Sequence, residues 1–164
     1  MKQLFLIRHA KSSWEDTFIE DRLRPLNGRG KKDAPLMGRM LVEKNLSFDR
    51  IISSPAHRAW STAKKLCKSL GIPKEEIVRD ERLYGATVET LYYLLQEVDD
   101  SVERLALVGH NPTLTEFVNR LIDNPIANLP TCGIIVMGLS CTSWQALSHD
   151  CYIAHDFLYP KLFK

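Results

Sequence analysis

Three separated segments of this 164-residue chain end on side chains able to hold and attack an anion. The first is Leu4-Phe5-Leu6-Ile7-Arg8-His9-Ala10, where an apolar run of four stops at a guanidinium and an imidazole. An imidazole of ordinary pKa, ~6.5, is largely unprotonated and nucleophilic near neutrality. A planar guanidinium beside it can hold two phosphate oxygens at once. The second segment, Ser53-Ser54-Pro55-Ala56-His57-Arg58-Ala59, carries Arg58 one turn inside a helix start, where free N–H groups already favour an anion. The third, Val108-Gly109-His110-Asn111-Pro112, places His110 between a strand-ending Gly and a helix start, where it can donate to an oxyanion. Each has an ordinary reading when taken singly: a strand end reaching water, an exposed helical Arg, a core His bonded to backbone. Collected at one point, two Arg and two His suit phosphate and little else. His57, His149 and His155 lack such a setting, and no H-x-x-x-H or His-carboxylate spacing suggests a metal site.

These side chains can meet only if the elements before them end at one edge. Residues 3–7 read as a buried first strand, 48–53 (FDRIIS) as a second, 76–78 as a short one, and 105–109 as a fourth. A first helix presents Ala34, Met37 and Leu41 on one face, with Pro35 read as sitting early in it. Ser54 with Pro55 reads as an N-cap followed by the first helical residue of a second helix, which Gly71 and Pro73 stop near Leu70. Thr87 to Val98 is helical by period, and Asn111-Pro112 opens a last helix reaching about Ile122. Two late strands, 133–139 and 143–147, are expected as a hairpin, with the final dozen residues irregular. Alternating strands and helices imply an α/β fold: a mostly parallel central sheet covered on both faces, in three α/β/α layers. In such sheets ligands bind at the carboxyl ends of the strands.

Length favours one domain over residues 1–164, and 45% hydrophobic with 26% charged residues is ordinary for a globular protein. A net charge of +2 gives no support for general nucleic-acid binding. No run is long enough to span a membrane, and the opening residues read as a strand, so the cytoplasm is the expected location. Cys67, Cys132, Cys141 and Cys151 show no C-x-x-C spacing and are expected to be buried, reduced thiols without a function. Arg22, Arg24, Arg29, Lys31 and Lys32 read as a solvated basic face.

The R-H near the start, the S-x-P-x-x-R-A segment and the late G-H-N-P resemble the histidine phosphatase superfamily, which includes cofactor-dependent phosphoglycerate mutases and acid phosphatases. The small SixA-like branch is most similar. Its opening reads much as Arg8-His9-Ala10-Lys11, then Arg24-Pro25-Leu26-Asn27, Arg29-Gly30 and Asp33-Ala34 do here. Ala10 stands where many members have Gly, and Ser61 where Gln is common. The resemblance implies a phosphoglycerate mutase-like fold without a cap domain. It implies His9 as a nucleophile that becomes phosphorylated, with Arg8, Arg58 and His110 holding the phosphoryl oxygens. It also offers Glu81, four residues before Gly85, as a general acid. As a residue, Glu81 reads equally well as a surface carboxylate paired with Arg79 or Arg82. No metal or organic cofactor is implied.

Only 23 residues separate Gly85 from Gly109, enough for one helix and its turns. Larger members of the superfamily roof the site with insertions there, so a shallow, open site is expected. That favours a phosphohistidine side chain on a protein as substrate. A broad small-molecule phosphomonoesterase is the alternative, and a non-catalytic phosphate-binding domain a more remote one. The oligomeric state is left open.

Overall fold

A computed structural model describes residues 1–164, in a six-stranded sheet with two helices on each face. The strands are β1 (Lys2–Arg8), β2 (Arg50–Ser53), β3 (Ile77–Arg79), β4 (Arg104–Gly109), β5 (Ile134–Leu139) and β6 (Tyr152–Leu158). The helices are α1 (Gly28–Glu43), α2 (His57–Leu70), α3 (Val88–Gln96) and α4 (Thr113–Leu121). Strand order is β3-β2-β4-β1-β5-β6, with the first four mutually parallel, β5 antiparallel to β1, and β6 antiparallel to β5. This is the expected three-layer α/β/α arrangement, and no cap domain covers it.

Side-chain alternation along the strands divides the interior into two cores. Phe5, Ile7, Ile51, Ala106 and Val108 face α1 and α2, where Ala34, Met37, Leu41, Ala59, Ala63 and Leu66 meet them. Leu4, Leu6, Ile52, Leu105 and Leu107 face α3 and α4, against Leu91, Leu94, Leu95, Leu114, Phe117 and Val118. Strands buried on both faces must be apolar throughout, which is why β1 and β4 read as unbroken hydrophobic runs.

Several local expectations are corrected. Helix α1 begins at Gly28, because the Asn27 side chain accepts from the Gly30 N–H at 2.9 Å and caps it. Pro35 is therefore in the helix interior, and packing of Met37 and Leu41 outweighs its missing N–H. Ser54 does not cap α2, which starts at His57 after Ala56; its hydroxyl accepts from the Ala56 N–H in a tight turn and turns to His110 instead. Arg58 is thus the second residue of α2. Residues 143–147 are not a strand. Trp144 is fully buried, donates its indole N–H to the Val102 carbonyl at 2.8 Å, and pins a single helical turn to the start of β4. The partner of β5 is β6, all but its first residue within the segment expected to be irregular.

The β1–α1 connection is held down at its far end by Gly30. A Cβ there would lie 2.1 Å from the Lys11 carbonyl oxygen, while Asn27 N–H donates to that same oxygen at 2.9 Å. Helix and loop can approach this closely only without a side chain. Gly30→Ala should therefore destabilise the protein by about 1–3 kcal/mol through overpacking, despite the better helix propensity of Ala. Gly28→Ala, whose Cβ meets nothing within 4 Å, should be neutral or stabilising by up to about 1 kcal/mol. Urea denaturation of the two variants checks both signs.

Candidate active site

Strand register brings the predicted residues together. β1 and β4 are hydrogen-bonded neighbours with Arg8 opposite Gly109, so His9 and His110 are each the next residue out. Ser53 on β2 pairs with Val108, which places Ser54 beside His110. The chain leaves β1 toward α1 on one face of the sheet and leaves β4 toward α4 on the other. Adjacent strands whose connections part in this way open a crevice at their carboxyl ends. The imidazoles of His9 and His110 lie there with ring centroids 5.2 Å apart.

A pocket of about 210 Å³ occupies the crevice, lined by Arg8, His9, Lys11, Ser12, Trp14, Arg24, Arg58, His110, Asn111 and Thr131. Four of these side chains are cationic, none is a carboxylate, and Trp14 is the apolar member. Arg8 donates from Nη1 to the Leu129 carbonyl at 3.1 Å, and its Nε is buried without a protein partner. Burial lowers the Arg8 pKa from its ordinary value. Thr62, fully buried on α2, accepts from the Ala10 N–H and donates to the Arg58 carbonyl, coupling the end of β1 to the first turn of α2.

The surroundings of the two imidazoles differ, and those of His9 define its tautomer. His9 Nδ1 lies 2.7 Å from the Ala10 carbonyl, an acceptor only, so Nδ1 carries the proton and Nε2 keeps its lone pair. Burial pushes the His9 pKa down to about 3; His110, Arg58 and Arg8 add to the effect, and the Ala10 hydrogen bond opposes it. Burial, then the Arg58 charge, lowers His110 to about 4. His110 Nε2 shares a 2.7 Å hydrogen bond with the Ser54 hydroxyl, and its Nδ1 is buried with no protein partner. Unpartnered nitrogens on Arg8, Arg58 and His110 within one cationic pocket leave capacity for an anion's oxygens.

Glu81 is placed differently. Its carboxylate accepts both hydrogen bonds from Arg22 Nη2, at 3.1 and 3.0 Å, with both side chains exposed. Neither Arg79 nor Arg82 is its partner: Arg79 stacks on Trp60, and Arg82 is taken by Asp80 and Glu97. Glu81 does not line the pocket.

Sequence reasoning missed Arg24, which it had assigned to a solvated face. Arg22, Arg29, Lys31 and Lys32 are exposed, but Arg24 is 6% exposed. It donates to Ser12 Oγ at 2.8 Å and to Asp21 Oδ1 at 3.1 Å, and its guanidinium lies 3.5 Å from the Trp14 ring centroid. The one available signal was its place at the head of Arg24-Pro25-Leu26-Asn27. Asp21 and Tyr84 were missed as well. They line a second cavity of about 360 Å³ that shares Arg58, His110 and Asn111 with the first and is walled by Leu83, Leu91, Leu107 and Leu114. No group of three or more His, Cys, Asp or Glu side chains is arranged to hold a metal ion.

Residues 4–91 match the family model described as histidine phosphatase superfamily (branch 1). An uncharacterized protein of Mycobacterium tuberculosis is 32% identical over 94% of this chain and 100% of its own length. A crystal structure from Agrobacterium tumefaciens, provisionally described as phosphohistidine phosphatase SixA, superposes with a TM-score of 0.82 at 28% identity, covering 97% of this chain and 98% of that one. A structure of the protein histidine phosphatase SixA complexed with tungstate shares the fold, with a TM-score of 0.80 at 21% identity over 99% of both chains. With both His, both Arg and the parallel-strand crevice in place, the chain belongs to branch 1 of the histidine phosphatase superfamily.

Proposed function

We propose that residues 1–164 act as one catalytic unit that hydrolyses phosphohistidine on proteins through a phosphorylated His9. The observation that carries the reading is the His9 hydrogen bond to Ala10 O, which leaves Nε2 unprotonated in a pocket with Arg8, Arg58 and His110. Nε2 attacks phosphorus as the bond from phosphorus to the substrate nitrogen breaks. Arg8 and Arg58 neutralise the phosphoryl oxygens, and His110 contributes a hydrogen bond. Water then attacks phosphorus, the P–Nε2 bond breaks, and inorganic phosphate leaves. The positive charge comes from the chain's own guanidiniums, so no metal or organic cofactor is assigned.

A phosphohistidine substrate is favoured by similarity to structures described as SixA and by the character of the pocket. With four cations and one apolar wall member, the pocket that holds His9 suits a phosphoryl group, and its own walls offer little to a sugar or glycerate. Imidazole, whose conjugate acid has a pKa near ~6.5, leaves protonated by solvent. An alkoxide needs a positioned acid, an effect of ~10²–10⁴-fold in rate. Glu81, paired with Arg22 outside the pocket, is not needed for the first leaving group. Four free, buried thiols fit a reducing compartment, and we assign the cytoplasm.

His9→Ala should abolish turnover with the fold retained, and rapid quench of the wild type should trap an acid-labile, base-stable phosphoenzyme. Near-normal turnover by His9→Ala would exclude the mechanism. Arg58→Ala and His110→Ala should each lose ~10²-fold or more in kcat.

Glu81→Gln should leave phosphohistidine hydrolysis nearly intact. If Glu81 serves as an acid, the substitution slows alkyl phosphates selectively, which kcat/KM across both substrate classes will read.

The depressed imidazole pKa values have a sign. Folded His9 and His110 bind protons more weakly than the unfolded chain, whose imidazoles titrate near ~6.5. Their contribution to stability is complete above that pH and is lost as pH falls toward about 4 and then about 3. Imidazole NMR titration should find no His9 or His110 midpoint between pH 5 and 8 in the free protein, and bound tungstate should raise both.

A further inference from the structure

The guanidinium of Arg58 is held from one side only. Nη1 donates to the Asp21 backbone carbonyl at 2.8 Å and Nη2 to Asp21 Oδ2 at 3.1 Å, so the edge spanning both Nη atoms is occupied. Its Nε is buried and has no protein partner. A guanidinium has two forks: one across Nη1 and Nη2, the other across Nε and the Nη on the same side. Asp21 fills the first and leaves the second.

Asp21 is itself fixed from several directions. Its Oδ1 accepts from Arg24 Nε at 3.1 Å, and Oδ2 also accepts from the Tyr84 hydroxyl at 2.5 Å. Tyr84 stands edge-on to His110, with ring centroids 5.8 Å apart. One carboxylate thus ties two cations of the phosphate pocket to the β3–α3 connection. The Tyr84 hydrogen bond, with Arg58 and Arg24, lowers the Asp21 pKa to about 2, so the group is an anion at working pH and no proton donor. It lines the adjoining cavity, not the pocket that holds His9.

We propose that Asp21 is a positioning residue that clamps the outer fork of Arg58 and so presents the Nε fork to two phosphoryl oxygens. The inference rests on the phosphoryl-transfer reading above. Without the clamp the side chain can rotate, and misplacing a charged partner by about 1 Å costs up to ~10²-fold in rate. A carboxylate that only tethered the 11–27 loop would have the same geometry, so the test must separate the two roles.

A double-mutant cycle does so, with Asp21→Ala, Arg58→Ala and the double variant compared by kcat/KM on phosphohistidine peptide and by tungstate Kd from calorimetry. A clamp acting through Arg58 predicts that Asp21→Ala loses about 10- to 100-fold in kcat/KM, and binds tungstate more weakly, only while Arg58 is present. In the Arg58→Ala background it should add nothing. Asp21→Asn, which keeps an oxygen for Nη2, should recover most of the loss, and it also covers the case in which Asp21→Ala folds poorly. Equal losses in both backgrounds would assign Asp21 to the loop tether and overturn the clamp. So would unchanged or tighter tungstate binding by Asp21→Ala. If the wild type turns over no phosphohistidine, the proposed function fails, while the tungstate cycle still decides the clamp.

Discussion

Everything at this site depends on the parallel pairing of β1 with β4. With Arg8 opposite Gly109, His9 and His110 emerge together, and His9 N–H still donates to the Gly109 carbonyl at 3.1 Å. A slip of one residue would turn the slipped strand's side chains to the opposite face and present each to the wrong core. The two separate hydrophobic cores therefore enforce the register, and the register enforces the distance between the imidazoles. Packing energy far from the chemistry is what makes the chemistry reproducible.

The pocket is built against its own electrostatics. Four cationic side chains line it with no carboxylate on its wall, and both imidazoles are held neutral by burial and by that positive charge. Like charges around this pocket repel, and Arg8, Arg58 and His110 each keep a nitrogen without a protein partner. An entering phosphoryl group relieves both penalties. A neutral His9 is also the form that can attack, so the environment that favours anion binding keeps the nucleophile active. The compensating negative charge, on Asp21, is kept behind the guanidiniums.

The β1–α1 loop carries more of the site than its irregular structure suggests. It delivers Lys11, Ser12, Trp14, Asp21 and Arg24, and it is pinned by the Ser12–Leu26 bridge and by the approach of Gly30 to Lys11. Stacked on Trp14 and bonded to Ser12 and Asp21, Arg24 is as buried as many core residues although it belongs to a loop. Loops of this kind place functional groups only when a rigid frame holds both ends.

The sequence by itself determined the buried strands, the alternation that makes an α/β sheet, and the strand and helix ends where Arg8, His9, Arg58 and His110 stand. These features are local: an apolar run, a stop and a basic side chain are visible in a few residues. Tertiary structure alone decided the rest. Trp144 counts as strand-like in sequence, yet it plugs the core through a bond to Val102, and the true sixth strand is a half-exposed edge with a weak apolar pattern. Asn27 looks like loop until its side chain is seen to cap α1, which shifts Pro35 to the helix interior. Arg24 and Lys32 are equivalent as letters in a basic stretch. One is buried beside the phosphate pocket and the other faces water, because only Arg24 meets Asp21, Ser12 and Trp14 in space. Long-range partners chosen by the fold, such as Tyr84 and Arg58 for Asp21, leave no mark on the residues' own neighbourhood in the chain.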